Sequence, residues 1–132
     1  MLPYLEGSVI LYFKHISDYA YSFRIESCSK LVCECVTEGF TAVTGYTIDD
    51  VNIQGWQRLI YPGDISVFLK HLHRLYTGKS NTSEFRIVTK NGKIHWLCDY
   101  ALPVWSKSEG RIIRIYGASA ILHQHVPGKK MI

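Results

Sequence analysis

Histidine and cysteine are the residue types in this chain that could bind a metal ion or supply a nucleophile, and its 132 residues include six histidines and four cysteines. His71 and His73 lie in a segment with helical periodicity, where positions two apart diverge by about 200° and cannot share one ion. His123 and His125 could bind one ion from an extended segment, but this spacing near a chain end is weak support for a metal site. The sequence therefore predicts no metal site.

The cysteines do not form a metal or redox motif, because Cys28, Cys33, Cys35 and Cys98 lack C-x-x-C spacing. Cys33 and Cys35 are expected on one face of a strand, too far apart for an unstrained disulfide. The apolar neighbours of Cys33 indicate an inert core thiol. No phosphate-binding loop, hydrolase serine motif or zinc-protease motif occurs. We therefore expect a domain without catalytic residues, and a small thiol- or metal-dependent enzyme is the less favoured alternative.

The composition is that of a globular domain, with 47% hydrophobic and 13% aromatic residues. Lysine and arginine give a net charge of +4 but are spread along the chain, which does not favour nucleic-acid binding. No apolar run approaches the ~18 residues of a membrane span, and the first residues lack the pattern of a signal peptide. Unpaired cysteines are typical of a reducing compartment. These features predict a cytoplasmic domain without direct membrane contact.

Three segments in the second half of the chain predict an antiparallel meander: residues 84–89, 94–104 and 111–120. Asn91-Gly92 joins the first two, and both residues tolerate the positive φ angles of a tight hairpin turn. Residues 108–110, Ser-Glu-Gly, join the second and third in a similar way. Apolar residues occur on both faces of each predicted strand, so both faces of the sheet should be covered.

The first half of the chain supplies elements that could cover this sheet. Residues 3–16 have the spacing of an amphipathic helix, although 8–13 could equally form a strand. Residues 19–26 and 31–36 are predicted strands, and Thr37 and Thr47 are plausible N-caps of two short helices. Asp64 is the predicted N-cap of a longer helix. Its apolar stripe is formed by Ile65, Phe68, Leu69, Leu72, Leu75 and Tyr76.

Three motifs in this order resemble the PAS family of sensor domains. They are F-x-x-V-T-G-Y-T at 40–47, W-x-x-L-I-Y-P-G-D at 56–64, and EFRIVTKNGKIHW at 84–96, which is similar to the start of the PAC motif. The resemblance covers about residues 19–120. It implies an α+β fold with a five-stranded antiparallel sheet in the order 2-1-5-4-3. Short helices would lie on one face and an N-terminal helix on the other.

The resemblance also implies a division of the chain and a ligand cavity. Residues 1–18 would form an N-terminal capping helix, 19–122 the PAS domain, and 123–132 a tail or the start of a connector. The cavity candidates are Phe40, Trp56, Phe68, Leu72, Phe85, Ile87, Leu97, Asp99, Ile115 and Ser119. On the last strand, Ile113 would share the inner face with Ile115.

Asp99 is the unusual member of this set, since a carboxylate facing an apolar interior requires hydrogen-bond partners or a raised pKa. It could bond a helix amide or a local hydroxyl, or it could anchor a small ligand. If Asp99 faces a cavity, Asp99→Leu should stabilise the empty domain, because a buried carboxylate is costly unless it is well paired.

Cofactors known in the PAS family can be compared position by position. The adduct-forming cysteine of flavin-binding light-oxygen-voltage domains falls at Gln57, and polar residues that hold the flavin fall at Ile87 and Leu97. The axial histidine of haem-binding members falls near Phe68, and His71 is expected beside the apolar stripe. The resemblance therefore implies neither covalent flavin nor haem, and no cofactor is expected.

The outer face of the sheet would carry an apolar patch that a monomer rarely exposes. The residues expected in the patch are Trp96, Tyr100, Leu102 and Tyr116, and those expected to cover it from the N-terminal helix are Leu5, Val9, Tyr12 and Phe13. The helix could belong to the same subunit or to the partner in a homodimer. The resemblance implies a signalling module that binds a small molecule or relays a conformational change to an output domain such as a histidine kinase. A dimerisation module with a filled core is the alternative.

Overall fold

Five strands and three α-helices form most of the part of the chain that the computed structural model describes, residues 17–123. The strands are β1 (Tyr19–Ile25), β2 (Leu31–Val36), β3 (Asn81–Val88), β4 (Ile94–Ser106) and β5 (Arg111–Leu122). The helices are α1 (Gly39–Thr44), α2 (Ile48–Gln54) and α3 (Ile65–Tyr76), with 3₁₀ turns at Trp56–Arg58 and Pro62–Asp64. The helix predicted over 3–16 and nearly all of the tail predicted at 123–132 lie outside the described residues.

All strands pair antiparallel in one sheet with the order β2-β1-β5-β4-β3, which confirms the sheet order that the PAS resemblance implied. Hairpins join β3 to β4 and β4 to β5. Their turns contain Gly92 and Gly110 at φ angles of 89° and 66°, which residues with a Cβ rarely adopt. No helix between residues 17 and 123 has the length and apolar character needed to cross a membrane.

The main core lies between the inner face of the sheet and the helices. Phe40 of α1, Leu75 of α3, and Ile87 and Leu97 of the sheet are almost completely buried there. Aromatic rings meet edge to face across this layer, as in Phe68 with Phe85, whose ring centroids are 5.6 Å apart. The helices therefore cover the inner face, and the buried cavity described below lies between them and the sheet.

Two details of the inner face differ from the sequence prediction. Ile112, rather than Ile113, is buried in the core, because the β4–β5 register skips Ile113 between the pairs Val104–Arg114 and Trp105–Ile112. A bulge of this kind reverses the alternation of inward and outward side chains along a strand. On α3, Leu69 and Tyr76 are exposed, and the buried residues are Phe68, His71 and Leu75.

Helix starts were predicted with mixed success. Thr47 caps α2 as expected: its side chain accepts a hydrogen bond from the Asp50 N–H, and the Asp50 carboxylate accepts one from the Thr47 N–H. Thr37 does not cap α1, and its hydroxyl oxygen instead accepts a bond from the backbone of β1. Asp64 occupies the N-cap position of α3 as predicted, but its carboxylate makes no bond to the helix and instead binds the guanidinium and backbone N–H of Arg86.

Both edge strands have partners for backbone groups that face away from the sheet. The side-chain amide of Asn52 on α2 accepts a bond from the Cys33 N–H at 2.9 Å and donates one to the Cys33 carbonyl at 3.0 Å. At the other edge, Val88 donates to the Leu59 carbonyl, and Tyr61 donates to the Arg86 carbonyl. These contacts attach α2 and the segment before α3 to the two edges.

Candidate functional site: a buried carboxylate beside the inner cavity

The cavity lies between the inner face of the sheet, α3 and the 3₁₀ turn at Trp56. Its volume is about 20 Å³, roughly the room that one water molecule needs. Eight of the ten predicted cavity residues line it: Trp56, Phe68, Leu72, Phe85, Ile87, Asp99, Ile115 and Ser119. Phe40 and Leu97 are buried elsewhere in the core and do not line it.

Asp99 is the centre of a hydrogen-bond network in the cavity wall. Only 2% of its surface is exposed. Its Oδ2 accepts a bond from the Tyr21 hydroxyl at 2.7 Å and lies 2.7 Å from His71 Nε2, and its Oδ1 accepts one from the Ser119 hydroxyl at 2.6 Å. Three donors from β1, α3 and β5 thus converge on one carboxylate of β4. These donors satisfy the oxygens of a carboxylate that is removed from water.

His71 reaches Asp99 because it lies on the buried side of α3, so the expectation that it would sit beside the apolar stripe was wrong. It is three residues after Phe68 and four before Leu75, which places all three on one helix face. Its Nδ1 lies 2.7 Å from the Asn81 side-chain amide nitrogen, which donates to it. The imidazole proton is therefore on Nε2 and is donated to Asp99.

The two tyrosines of β1 were missed in the set of cavity residues, although their spacing as alternate residues of a strand could have identified them. Tyr19 and Tyr21 both line the cavity. Burial raises the pKa of Tyr21 well above 10.0, and the charge of Asp99 raises it further, so its hydroxyl stays protonated as a donor. Gly117 of β5 leaves room for this side chain, because a Cβ there would lie 2.1 Å from the Tyr21 hydroxyl.

Trp56 lines the cavity beside β1. Its ring packs edge to face on Phe23, with centroids 4.0 Å apart, and lies 6.0 Å from the Tyr21 ring. Its Nε1 is buried and has no hydrogen-bond partner in the part of the chain that the structure describes. A buried indole N–H without an acceptor costs free energy, so it destabilises this conformation of Trp56 relative to one in which water accepts the bond.

The hydrogen-bond network could bind a ligand or transmit a conformational change between elements. It lacks the geometry of a nucleophilic triad. In a triad the serine hydroxyl bonds to the histidine and the carboxylate bonds to the other ring nitrogen. Here Ser119 donates to Asp99 directly, and the second nitrogen of His71 bonds to Asn81. Within residues 17–123 no group of three or more histidine, cysteine, aspartate or glutamate side chains is placed to hold a metal ion.

The outer face of the sheet has an apolar part and a charged part. Tyr116 is only 3% exposed and clusters with Ala20 and Ala118, and Leu102 packs against this cluster. Tyr100 is 39% exposed. Of the predicted patch, Trp96 instead lies under the Arg86 guanidinium, 4.9 Å from its ring centroid. The helix residues predicted to cover this face, Leu5, Val9, Tyr12 and Phe13, lie outside the described residues.

The charged part of the outer face is an ion-pair network across three strands. Glu34 of β2 binds Arg24 of β1 at 3.2 Å and Arg114 of β5 at 2.8 Å. Hydrogen bonding by Arg114 lowers the pKa of Glu34, and Arg24 lowers it further. Because each arginine is engaged by an acidic side chain, this surface is not a free anion site.

Comparisons with known proteins support the same fold. Residues 35–119 match the family model of the PAS fold. The chain is similar in structure to the N-terminal domain of a diguanylate cyclase with a PAS/PAC sensor from Marinobacter aquaeolei, at 17% identity and a TM-score of 0.64, covering 77% of this chain and 94% of that one.

Two other similar structures come from different kinds of protein. A sensory box histidine kinase/response regulator from Burkholderia thailandensis has 16% identity and a TM-score of 0.60, covering 82% of this chain and 79% of that one. A tryptophan-to-alanine variant of the PAS-B domain of Drosophila melanogaster Cycle, with bound glycerol, has 12% identity and a TM-score of 0.67, covering 79% and 99%. No curated protein sequence matches significantly. Because the matching family model spans more than half of the chain, this protein belongs to the PAS fold family.

Proposed function

We propose that the chain is a cytosolic sensory module of a signal-transduction protein, which binds a small molecule in the cavity beside Asp99. The Asp99 network carries this proposal. Its three hydrogen-bond donors, Tyr21, His71 and Ser119, come from different elements. A ligand that competes with Asp99 for one of these donors breaks a contact that joins β4 to β1, α3 or β5.

The relay to the rest of the protein would run through β5. Ser119 points from this strand into the network, while Tyr116 and Ala118 of the same strand form the apolar cluster on the outer face. A change at Ser119 can therefore alter the surface where the N-terminal segment or a second subunit would pack. We propose that a homodimer formed through this face transmits the change to an output domain, such as a histidine kinase or a cyclic-dinucleotide enzyme.

The residues favour a small organic ligand over the cofactors known in the PAS family. Gln57 stands where a flavin adduct would need a cysteine, and Ile87 and Leu97 are buried apolar side chains where polar contacts would be needed. Both ring nitrogens of His71 are engaged, which leaves neither for an iron atom. We therefore propose that neither haem nor covalent flavin binds in the native state.

A filled-core dimerisation module is the second candidate, and the small cavity volume favours it. Native mass spectrometry of the whole chain distinguishes the two. Ligand sensing predicts an added mass that disappears on denaturation and is lost in Asp99→Asn.

The relay is tested by the dimer fraction in sedimentation experiments. Ser119→Ala should change this fraction, although its side chain is on the inner face. Thr44→Val is the matched control, because it also removes a buried hydroxyl bond but from α1. Two results together would refute the sensor and favour the filled-core module: no added mass on the wild type, and equal dimer fractions in the wild type, Ser119→Ala and Thr44→Val.

A further inference from the structure

The geometry points to Trp56 as a displaceable plug, whose place in the cavity is taken by a flat, neutral aromatic ligand of about indole size. This inference rests on the proposed ligand-sensing function and names the class of ligand. It begins from the cavity volume of about 20 Å³, which is too small for any aromatic molecule. An aromatic ligand and the Trp56 ring therefore exclude each other.

The shape of the site supports an aromatic ligand. The surface under Trp56 is made by the rings of Phe23 and Tyr21 and already holds an indole in tilted and edge-to-face contact. A ligand that replaces this indole keeps the same contacts when it is flat and aromatic. The Asp99 oxygens in the cavity wall already accept three hydrogen bonds, so they offer no partner to a charged ligand in this apolar site. These features select a neutral molecule.

The closed position of Trp56 has one energetic defect, its unsatisfied indole N–H. Its buried Nε1 has no acceptor among residues 17–123, so the closed position leaves a polar group unsatisfied that water would satisfy in the open position. All other residues of 53–58 are exposed, with Ile53 84% exposed, so Trp56 is the one member of this segment that contacts the core.

The segment around Trp56 has a hinge and two fixed ends. Gly55 has a φ angle of 89° and no atom within 4 Å of where a Cβ would be, and a glycine can adopt a wide range of backbone angles. The Gly55 N–H donates to the Val51 carbonyl and the Leu59 N–H donates to the Trp56 carbonyl, and opening the turn would break these two bonds. Before Gly55, Val51 is buried, and after it, Leu59 is buried and bonded to Val88. Rotation between these ends would move Trp56 outward and leave both anchors in place.

Fluorine NMR of the whole chain labelled with 5-fluorotryptophan tests the plug, with indole as the probe. The chain has three tryptophans, and Trp→Phe variants assign the signals. Trp105 is 60% exposed and Trp96 packs under Arg86, so they provide an exposed and a packed reference in the same molecule. We expect indole to change the fluorine chemical shift of Trp56 alone. The Trp56 signal should then show the same H₂O-to-D₂O shift as the signal of the exposed Trp105.

The affinity for indole gives an independent readout. Removing the plug in Trp56→Ala should tighten indole binding by about tenfold or more, because the closed state no longer reduces the competent fraction. Trp105→Ala is the control and should bind indole as the wild type does. Saturation with indole while the Trp56 signal stays unchanged would overturn the plug but leave ligand sensing to the mass-spectrometric test. Absence of indole binding to both wild type and Trp56→Ala would also overturn it.

Discussion

Replacing Asp99 by leucine should destabilise the domain by about 3–5 kcal/mol, the usual cost of removing one partner from a buried charged network. The sequence alone allowed the opposite sign, because an unpaired carboxylate in an apolar interior costs free energy. The structure reverses that expectation. Leucine would leave the Tyr21 and Ser119 hydroxyls and the His71 N–H without their acceptor. Each orphaned donor costs about 1–3 kcal/mol, and the apolar surface gained by leucine offsets only part of the sum.

Urea denaturation of the wild type and Asp99→Leu measures this change in the free energy of unfolding. An unchanged m-value would show that the substitution does not act through the unfolded state. Ser22→Ala is the control. Ser22 is fully buried on the other face, and its hydroxyl has no hydrogen-bond partner among residues 17–123, so its removal should be neutral or stabilising. If Asp99→Leu is as stable as the wild type within about 1 kcal/mol, the network is not what holds Asp99 in the core.

Three other perturbations test separate parts of the structure. Asn52→Ala removes both hydrogen bonds to the Cys33 backbone and should lower the free energy of unfolding by about 1–3 kcal/mol; Asn52→Asp keeps the acceptor but sets a carboxylate oxygen against the Cys33 carbonyl, so it should not recover this loss in the same urea titration. The lowered pKa of Glu34 stabilises the fold above pH 4.5, and this contribution disappears as the pH falls through the lowered pKa. The stability difference between wild type and Glu34→Gln should therefore shrink on acidification, and a constant difference would contradict the role of Arg114. Burial raises the pKa of Cys33 to about 12, so a thiol reagent at about pH 8 should modify the exposed Cys28 first; prior labelling of Cys33 in a peptide map would contradict this.

Local signals in the sequence were sufficient for the hairpins and for α2. Gly92 and Gly110 sit where the backbone needs positive φ angles, and Thr47 and Asp50 are close enough in sequence to form their capping box. The sheet order came from the PAS resemblance, because strand pairing between distant segments has no local signal. Alternation along β4 separated its residues into two faces, and the PAS resemblance indicated the face with Asp99 as the inner one, where Asp99 is buried.

The errors come from contacts between residues far apart in the sequence. The N-cap position of Asp64 was predicted correctly, but the partner of its carboxylate was not, because Arg86 lies 22 positions away. His71 was counted as polar and placed outside the stripe, although a buried acceptor on β4 makes an inward position favourable. Ile113 was placed inside because a bulge is not visible in an alternating pattern. Hydrophobic periodicity assumes that polar residues face water, and it fails where one polar residue satisfies another in the core.

The side chain of Asn52 has a consequence for assembly. Its amide pairs with both backbone groups of Cys33, just as the next strand of the sheet would. The segment at Leu59 and Tyr61 does the same along β3. A second copy of the chain, or an extended peptide, therefore meets no open row of donors and acceptors at these positions. At these positions, association between subunits is directed away from edge pairing and towards the faces of the domain, and a variant that frees the Cys33 backbone groups would expose a donor and an acceptor for an added strand.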